Sequence, residues 1–433
     1  MEQILQYAWK YRLFKQSDLY TTEGRRFEIL DVGIHNTNGG PDFFNAKIKL
    51  DNTIWAGNIE IHTNSSDWYI HTHHKDKKYD SVILNVVLNY DSEIYRTNGD
   101  KINQFKIDVP SNILKEYDFL TNESKEILPC SVRLNEIENI YVEDWKMSLA
   151  TERLISKSTH FRQLVDYYTG DWNQAFYVLV SRSFGTGINS DSFERVARAT
   201  PLNFLKRHID SKLQTEAILM GQAGFLNVEN HNNSYYLLLK REYDILKYKF
   251  SLKPIDKTSW QFFRLRPSAF PYLRIAVLAS ILHKKTDIFS YIIEERTLKE
   301  LEDIFSADIN PFWEHHYQFD NNEVDHTLKI GRQTIHSIII NSIAPALFAY
   351  GIYHNNDLYR EKAISLLESL PFENNIYVRS FKSSGIKINN AFDSQAMIQL
   401  MKEYCQKKKC VFCRFGRKFL NNNHNNNNIV INK

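Results

Sequence analysis

Cysteine is scarce in this chain: four residues in 433, too few for the disulfide framework of a secreted domain. Charge of one sign is scarce too. Fifty-four Lys and Arg against 51 Asp and Glu leave a net charge of +3. That balance neither requires nor excludes a polyanionic partner, since a local basic face need not show in the total. The opening MEQILQYAWKYRLF has no basic segment ahead of a long apolar one, so a secretory leader is not expected. No stretch reads as a membrane span. The strongest candidate, IIINSIAPALFAYGIY from Ile338, is interrupted by Asn341 and Pro345 and reads as a buried helix. The expectation is a cytoplasmic protein, where clustered cysteines serve as ligands more readily than as disulfides. No internal repeat is evident. Gly185-Thr186-Gly187 lacks the strand–turn–helix surroundings of a dinucleotide site and reads as an interhelical turn.

What is present is ordinary in bulk: 43% hydrophobic and 24% charged residues, in a chain long enough for two or three domains. The informative stretch runs from Asn38 to Trp68, NGGPDFFNAKIKLDNTIWAGNIEIHTNSSDW. Phe43 to Leu50 alternates as a strand, Asp51-Asn52 supplies a tight turn, and Trp55 to Thr63 reads as the second strand of a hairpin. Asp42 enters the first strand from the Gly39-Gly40-Pro41 turn. Glu60 and His62, two apart on the second, leave the same face. If the register sets Asp42 beside that face, two carboxylates and a neutral imidazole surround one point. Such a set suits a divalent metal over a phosphodiester or similar ester. The plain alternative is a turn and the wet face of an ordinary hairpin.

Around the hairpin, residues 4–14 carry helical spacing and Phe27–Asp31 reads as a strand whose Glu28 is a further candidate carboxylate. The GIHNTNGGPD turn is suited to holding Asp42, with His35, at a strand mouth. After the hairpin comes SSDWYIHTHHKDKKYD, with His71, His73 and His74. It reads as a substrate-facing loop more readily than as a metal site, and His71 is its foremost candidate. Its Ser65-Ser66-Asp67 could equally cap a short helix from near Trp68. Ser81–Asp91 is a β-branched run expected to be an interior strand.

Pro41-Asp42 followed by Glu60-Ile61-His62 resembles the PD-(D/E)xK nuclease superfamily, over about the first quarter of the chain. The resemblance implies a restriction-endonuclease-like α/β domain, with Asp42 and Glu60 holding Mg²⁺ or Mn²⁺. His62 stands where that pattern has Lys. It departs from the pattern because it is not a permanent cation, leaving it to bind the metal or to orient water.

From Val142 the periodicity becomes helical, with Asp171 placed to cap one helix. Within this region Arg264, Arg266 and Arg274 lie close together among aromatics. They are candidates for phosphate contact, their alternative being ion pairs between helices. Near the end, Cys405-x4-Cys410-x2-Cys413 has ligand spacing, and Cys130 is available as a fourth thiolate for a structural metal, zinc or iron–sulfur. Some PD-(D/E)xK-like nucleases hold an iron–sulfur cluster by such a split set, so the resemblance adds to that expectation. The final NNNHNNNNIVINK is low-complexity and expected to be disordered.

WKYRLF, GGPDFFNAKIKL, WAGNIEIHTNSSDW, WNQAFYVLVSRSFG, MGQAGFL, RLRPSAFP and AFDSQAMIQLMKEYC together resemble the uncharacterised bacterial domain-of-unknown-function family number 2851 over nearly the whole chain. That family lends no activity. The expectation is therefore a restriction-endonuclease-like α/β domain over residues 1–128, a helical domain with the cysteine cluster over 129–420, and a tail over 421–433. The expected function is metal-dependent phosphodiester hydrolysis of nucleic acid, DNA or RNA. The alternative is a non-catalytic nucleic-acid-binding or assembly protein on a degenerate nuclease fold.

Overall fold

The computed structural model describes all residues except 37, 124–126, 230, 264, 267–268, 307, 321–329 and 423–433. Arg264 and nearly all of the Asn-rich tail therefore lie outside the described residues. The chain is mixed α/β, an N-terminal sheet region followed by a mostly helical one. It divides into two compact units. One comprises Met1–Tyr141, Ser383–Ile386 and Leu400–Lys433, and the other Val142–Lys382 and Lys387–Gln399. The segment with the three late cysteines thus belongs to the sheet unit, although it follows the helices in sequence.

The sheet unit opens with helix α1 (Glu2–Lys10), whose Ile4, Leu5, Ala8 and Trp9 are buried on one side. Seven strands follow: β1 (Leu19–Tyr20), β2 (Arg26–Asp31), β3 (Ile34–His35), β4 (Phe43–Leu50), β5 (Thr53–Asn64), β6 (Val82–Asn89) and β7 (Gln104–Lys106). Among the described residues they form one sheet in the order β1-β2-β4-β5-β6-β7, with β3 on the edge of β4. Pairing is antiparallel as far as β5 and parallel from β5 to β7. β4 alternates buried and open as a half-buried antiparallel strand should, whereas the first six residues of β6 are buried on both faces.

β5 joins the two regimes. Its first part pairs with β4 and its second with β6, so Glu60 lies opposite Asn85 and His62 opposite Val87. At the changeover the β5 backbone passes close over β6. A Cβ on Gly57 would lie 2.7 Å from the Ser81 carbonyl, so only glycine fits. A bulge in β4, with Asn45 left-handed at φ 56°, re-aims the strand entrance where Asp42 stands. Ile59 and Ile61 face the main core with α1, while Glu60 and His62 point to the other face. That face is covered by a short helix α2 (Asp67–Ile70) and two 3-10 turns, packed through Trp68, Tyr69 and Tyr79.

The helical unit is built on long elements such as Asn139–Tyr167, Trp172–Phe184 and Pro271–Lys284. Asp171 does cap the second, its carboxylate accepting from the Gln174 N–H at 2.9 Å. Asn341 and Pro345 do not interrupt the apolar segment. A π turn at Ile339–Ile343 runs straight into Ala344–Tyr353, and the wider turn accommodates a proline that has no N–H to offer. Arg332–Tyr353 is consequently 22 residues long and apolar enough to cross a membrane, yet 72% of its most apolar window is buried inside the protein. It serves as a core helix of this unit.

Candidate metal centre

Three imidazoles meet on the second face of the sheet. The ligand-capable nitrogens of His62, His71 and His73 lie within 4.8 Å of one another, the one such group of three among the described residues. His62 comes from β5. His71 and His73 flank Thr72, which is left-handed at φ 62°. A threonine resists that conformation, and it costs roughly 1 kcal/mol. Here it reverses the chain sharply between the two histidines and turns both imidazoles to the same point. His73 is then clamped, its ring stacked 3.8 Å from Tyr79 and edge-on to Trp68 at 5.3 Å. Trp68 is itself pinned by its indole N–H to the Tyr95 carbonyl at 3.1 Å.

The protonation of His62 follows from a chain of side-chain amides anchored on a backbone carbonyl. Ser92 O can only accept, so Gln104 Nε2 donates to it at 2.8 Å. Gln104 Oε1 accepts from Asn85 Nδ2 at 3.2 Å, which leaves Asn85 Oδ1 to accept from His62 Nδ1–H at 2.9 Å. The proton of a neutral His62 is therefore on Nδ1 and the lone pair on Nε2. Burial holds the ring neutral, pushing its pKa down to about 4. Burial does the same for His73, helped by the neighbouring His71, again to about 4. Both Nε2 atoms are buried without a hydrogen-bond partner. Each faces Glu60 Oε1, at 3.8 Å from His62 and 3.3 Å from His73.

Glu60 and Asp42 are interlocked across the β4–β5 ladder. The Asp42 backbone N–H donates to Glu60 Oε2 at 3.0 Å, and the Ile61 N–H donates to Asp42 Oδ2 at 3.0 Å. Gln6 of α1 donates to Asp42 Oδ1 at 2.8 Å. Burial raises both carboxyls to about 8, with the charge of Glu60 as the second cause for Asp42. Without a cation, burial thus works against charge on both carboxyls and on the His62 and His73 rings. A divalent ion would displace the acid protons and give the orphaned nitrogens a partner. Imidazole nitrogens held by a fixed amide network, with one carboxylate oxygen, form a chemically fitting donor set.

The sequence expectation placed Asp42, Glu60, His62 and His71 here, and the structure brings all four together. His73, named beside His71 and His74 but not singled out, joins these four. Its signal was the H-T-H spacing, which reads as a polar loop until Thr72 turns left-handed. Glu28 is elsewhere: it is exposed on β2 opposite Lys49, between the core-facing Phe27 and Ile29. Arg266 is exposed. Arg274 is interior to the helical unit, 4% exposed, and burial lowers its pKa to about 10. A guanidinium so enclosed is not presented to a nucleic-acid backbone, which corrects its reading as a phosphate contact.

All four cysteines fall in the sheet unit as free thiols. Cys130 precedes a 3-10 turn whose Arg133 lies 4.6 Å over the Phe419 ring of the terminal helix (Arg414–Asn422). The Cys410 thiol points to the Leu120 carbonyl at 3.8 Å. Burial raises the pKa of Cys130, Cys405 and Cys410, and the nearby Cys413 raises all three further. The remote and the clustered cysteines are therefore close enough to interact electrostatically, without forming a second group of three ligand atoms among the described residues.

Compared with known proteins, residues 2–376 match the family described as "Protein of unknown function (DUF2851)". No curated protein and no solved structure matches the chain.

Proposed function

The chain belongs to the DUF2851 family, and from its own side chains we propose that it is a metal-dependent phosphodiester hydrolase acting on nucleic acid. The observation that carries this reading is the pair of buried, unpartnered Nε2 atoms of His62 and His73 facing one carboxylate oxygen of Glu60. We assign His62, His71, His73 and Glu60 as the ligands. This nitrogen-rich set suits Mn²⁺ or Zn²⁺ better than Mg²⁺, which prefers an all-oxygen octahedron. Such an ion supplies an acidified water and neutralises charge on the phosphoryl group. Asp42 keeps Glu60 in place through the reciprocal backbone bonds and is a further acid able to move a proton. His71, exposed where His62 and His73 are buried, marks the side from which substrate enters.

The order of the sheet, with the acidic pair on an antiparallel hairpin beside a parallel strand, supports reading this unit as restriction-endonuclease-like. We read the four cysteines as the ligands of a structural zinc or iron–sulfur group that fastens the terminal helix to this unit. A second reading, binding without chemistry, draws on His62: buried and neutral, it does not replace the lysine of the PD-(D/E)xK pattern. One assay separates them. Anaerobically purified protein is offered single- and double-stranded DNA and RNA with Mn²⁺, Mg²⁺ or Zn²⁺, alongside Glu60→Ala. Metal-dependent cleavage absent from the variant supports the hydrolase. Binding without cleavage under every condition supports the second reading.

A further inference from the structure

A cleft of about 110 Å³ lies one side chain away from the acidic pair, in the same unit. Gln6, which donates to Asp42, is also part of its wall. Besides Tyr7 and Val411, the wall combines cations and rings: Lys10 and Tyr11 at the end of α1, His35 of β3, and Phe412 and Arg417 from the cysteine-bearing segment. Lys10 Nζ lies 5.6 Å and the Arg417 guanidinium 4.6 Å from the centroid of the Tyr11 ring. Neither cation has a carboxylate partner among the described residues. Elsewhere in the same unit Arg25 pairs with Asp51 at 3.0 Å and Lys101 with Glu93 at 2.6 Å. His35 stacks near-parallel on Phe412, centroids 5.9 Å apart and planes at 18°, and Phe412 keeps 39% of its surface open. Two unmatched cations among open aromatic rings are what a single nucleic-acid strand requires, phosphates on the charges and an unpaired base on a ring. A duplex hides the faces of its bases and offers phosphates and groove edges, which give the rings nothing to stack on.

The geometry points to this cleft as a subsite for single-stranded nucleic acid, in which Lys10 and Arg417 take backbone phosphate and Phe412 stacks a base, feeding the strand past Gln6 to the metal centre. It rests on the hydrolase reading only for what happens next, because binding can be measured without cleavage.

The test is fluorescence anisotropy with a labelled single-stranded DNA, the same sequence as RNA, and its duplex, over a salt series in EDTA. Single strands should bind at least about tenfold tighter than the duplex, and Phe412→Leu should weaken single strands by about 5- to 100-fold while Phe412→Tyr restores them. Lys10→Gln and Arg417→Gln should each lower the slope of log affinity against log salt by about 0.7. Lys10 is exposed and outside the cysteine segment, so its variant reports on the cleft even where Phe412 or Arg417 variants fail to fold. Equal affinity for duplex and single strand, or an unchanged salt slope in Lys10→Gln, overturns the subsite. Comparing the DNA and RNA arms identifies the sugar. If this pattern holds but no cation supports cleavage, the hydrolase reading fails and the subsite stands. Metal-dependent cleavage without the pattern gives the reverse.

Discussion

Both units bury carboxyl groups, but they treat them differently. In the helical unit Glu216, 3% exposed, accepts the Trp313 indole N–H at 2.7 Å, and Asp393 is paired with the buried Lys146 ammonium at 2.9 Å. Lys146 also donates to the Lys387 carbonyl at 3.1 Å. Those acids are finished: each has a donor that packing supplies. In the sheet unit Glu60 faces two imidazole nitrogens that make no hydrogen bond with it. Isolated unpartnered atoms occur in the helical unit too, such as Tyr177 Oη and Thr200 Oγ1. The difference lies in convergence. A single orphan costs stability by itself, whereas several ligand atoms left open toward one point could hold a cation.

The largest effect should come from taking a ligand out of that point. His73→Ala is expected to weaken Mn²⁺ binding by at least about 100-fold by calorimetry, since even partners behind a ligand are worth 10- to 100-fold. An unchanged affinity would make the sheet-unit cluster as structural as Glu216. Next, Asn85→Leu removes the acceptor that fixes the His62 tautomer without touching a ligand, and should cost about 10- to 100-fold in the same titration. Glu216→Ala should leave metal affinity unchanged but cost about 1–3 kcal/mol in urea unfolding, because the Trp313 N–H loses its acceptor inside the protein.

The smallest effect is a pH dependence, and its sign differs between groups. Asp42 and Glu60 have folded pKa values raised to about 8, so their contribution to metal-free stability is present below about 4 and lost as pH rises through 8. His62 and His73, lowered to about 4, contribute stability above about 6.5 that is lost as pH falls through 4. The thermal shift produced by Mn²⁺ should therefore grow from pH 6 to pH 8.5, as the ion replaces acid protons. A shift independent of pH would mean the acids are not displaced.

The parts of this centre that follow from chain periodicity were legible in the sequence. Alternation gave both strands of the hairpin to within two residues and put Glu60 and His62 on one face. β6 announced itself as a continuous β-branched run because both its faces are covered. The Asp171 cap was readable for the same reason: it needs only neighbours in sequence. What depends on one backbone torsion or on distant packing was not legible. His73 joins the site through the left-handed Thr72, which no spacing rule anticipates. Arg274 looked like one member of an arginine cluster, but its helix is buried along nearly its whole length, so the guanidinium went inside with it. Glu28 has the right chemistry on the right sheet, yet its strand lies beyond β4 from the site. The closeness of Cys130 to the late cysteines could be guessed from ligand count, while the return of that segment to the sheet unit could not.

The central claim is that the three histidines and Glu60 hold a divalent cation. Its most direct test is Mn²⁺ titration of the chelator-treated full-length chain by calorimetry, in parallel with His73→Ala. The account predicts a bound equivalent in the wild type that is missing from the variant, whatever ions the cysteines take in both. Identical isotherms for the two proteins would contradict it.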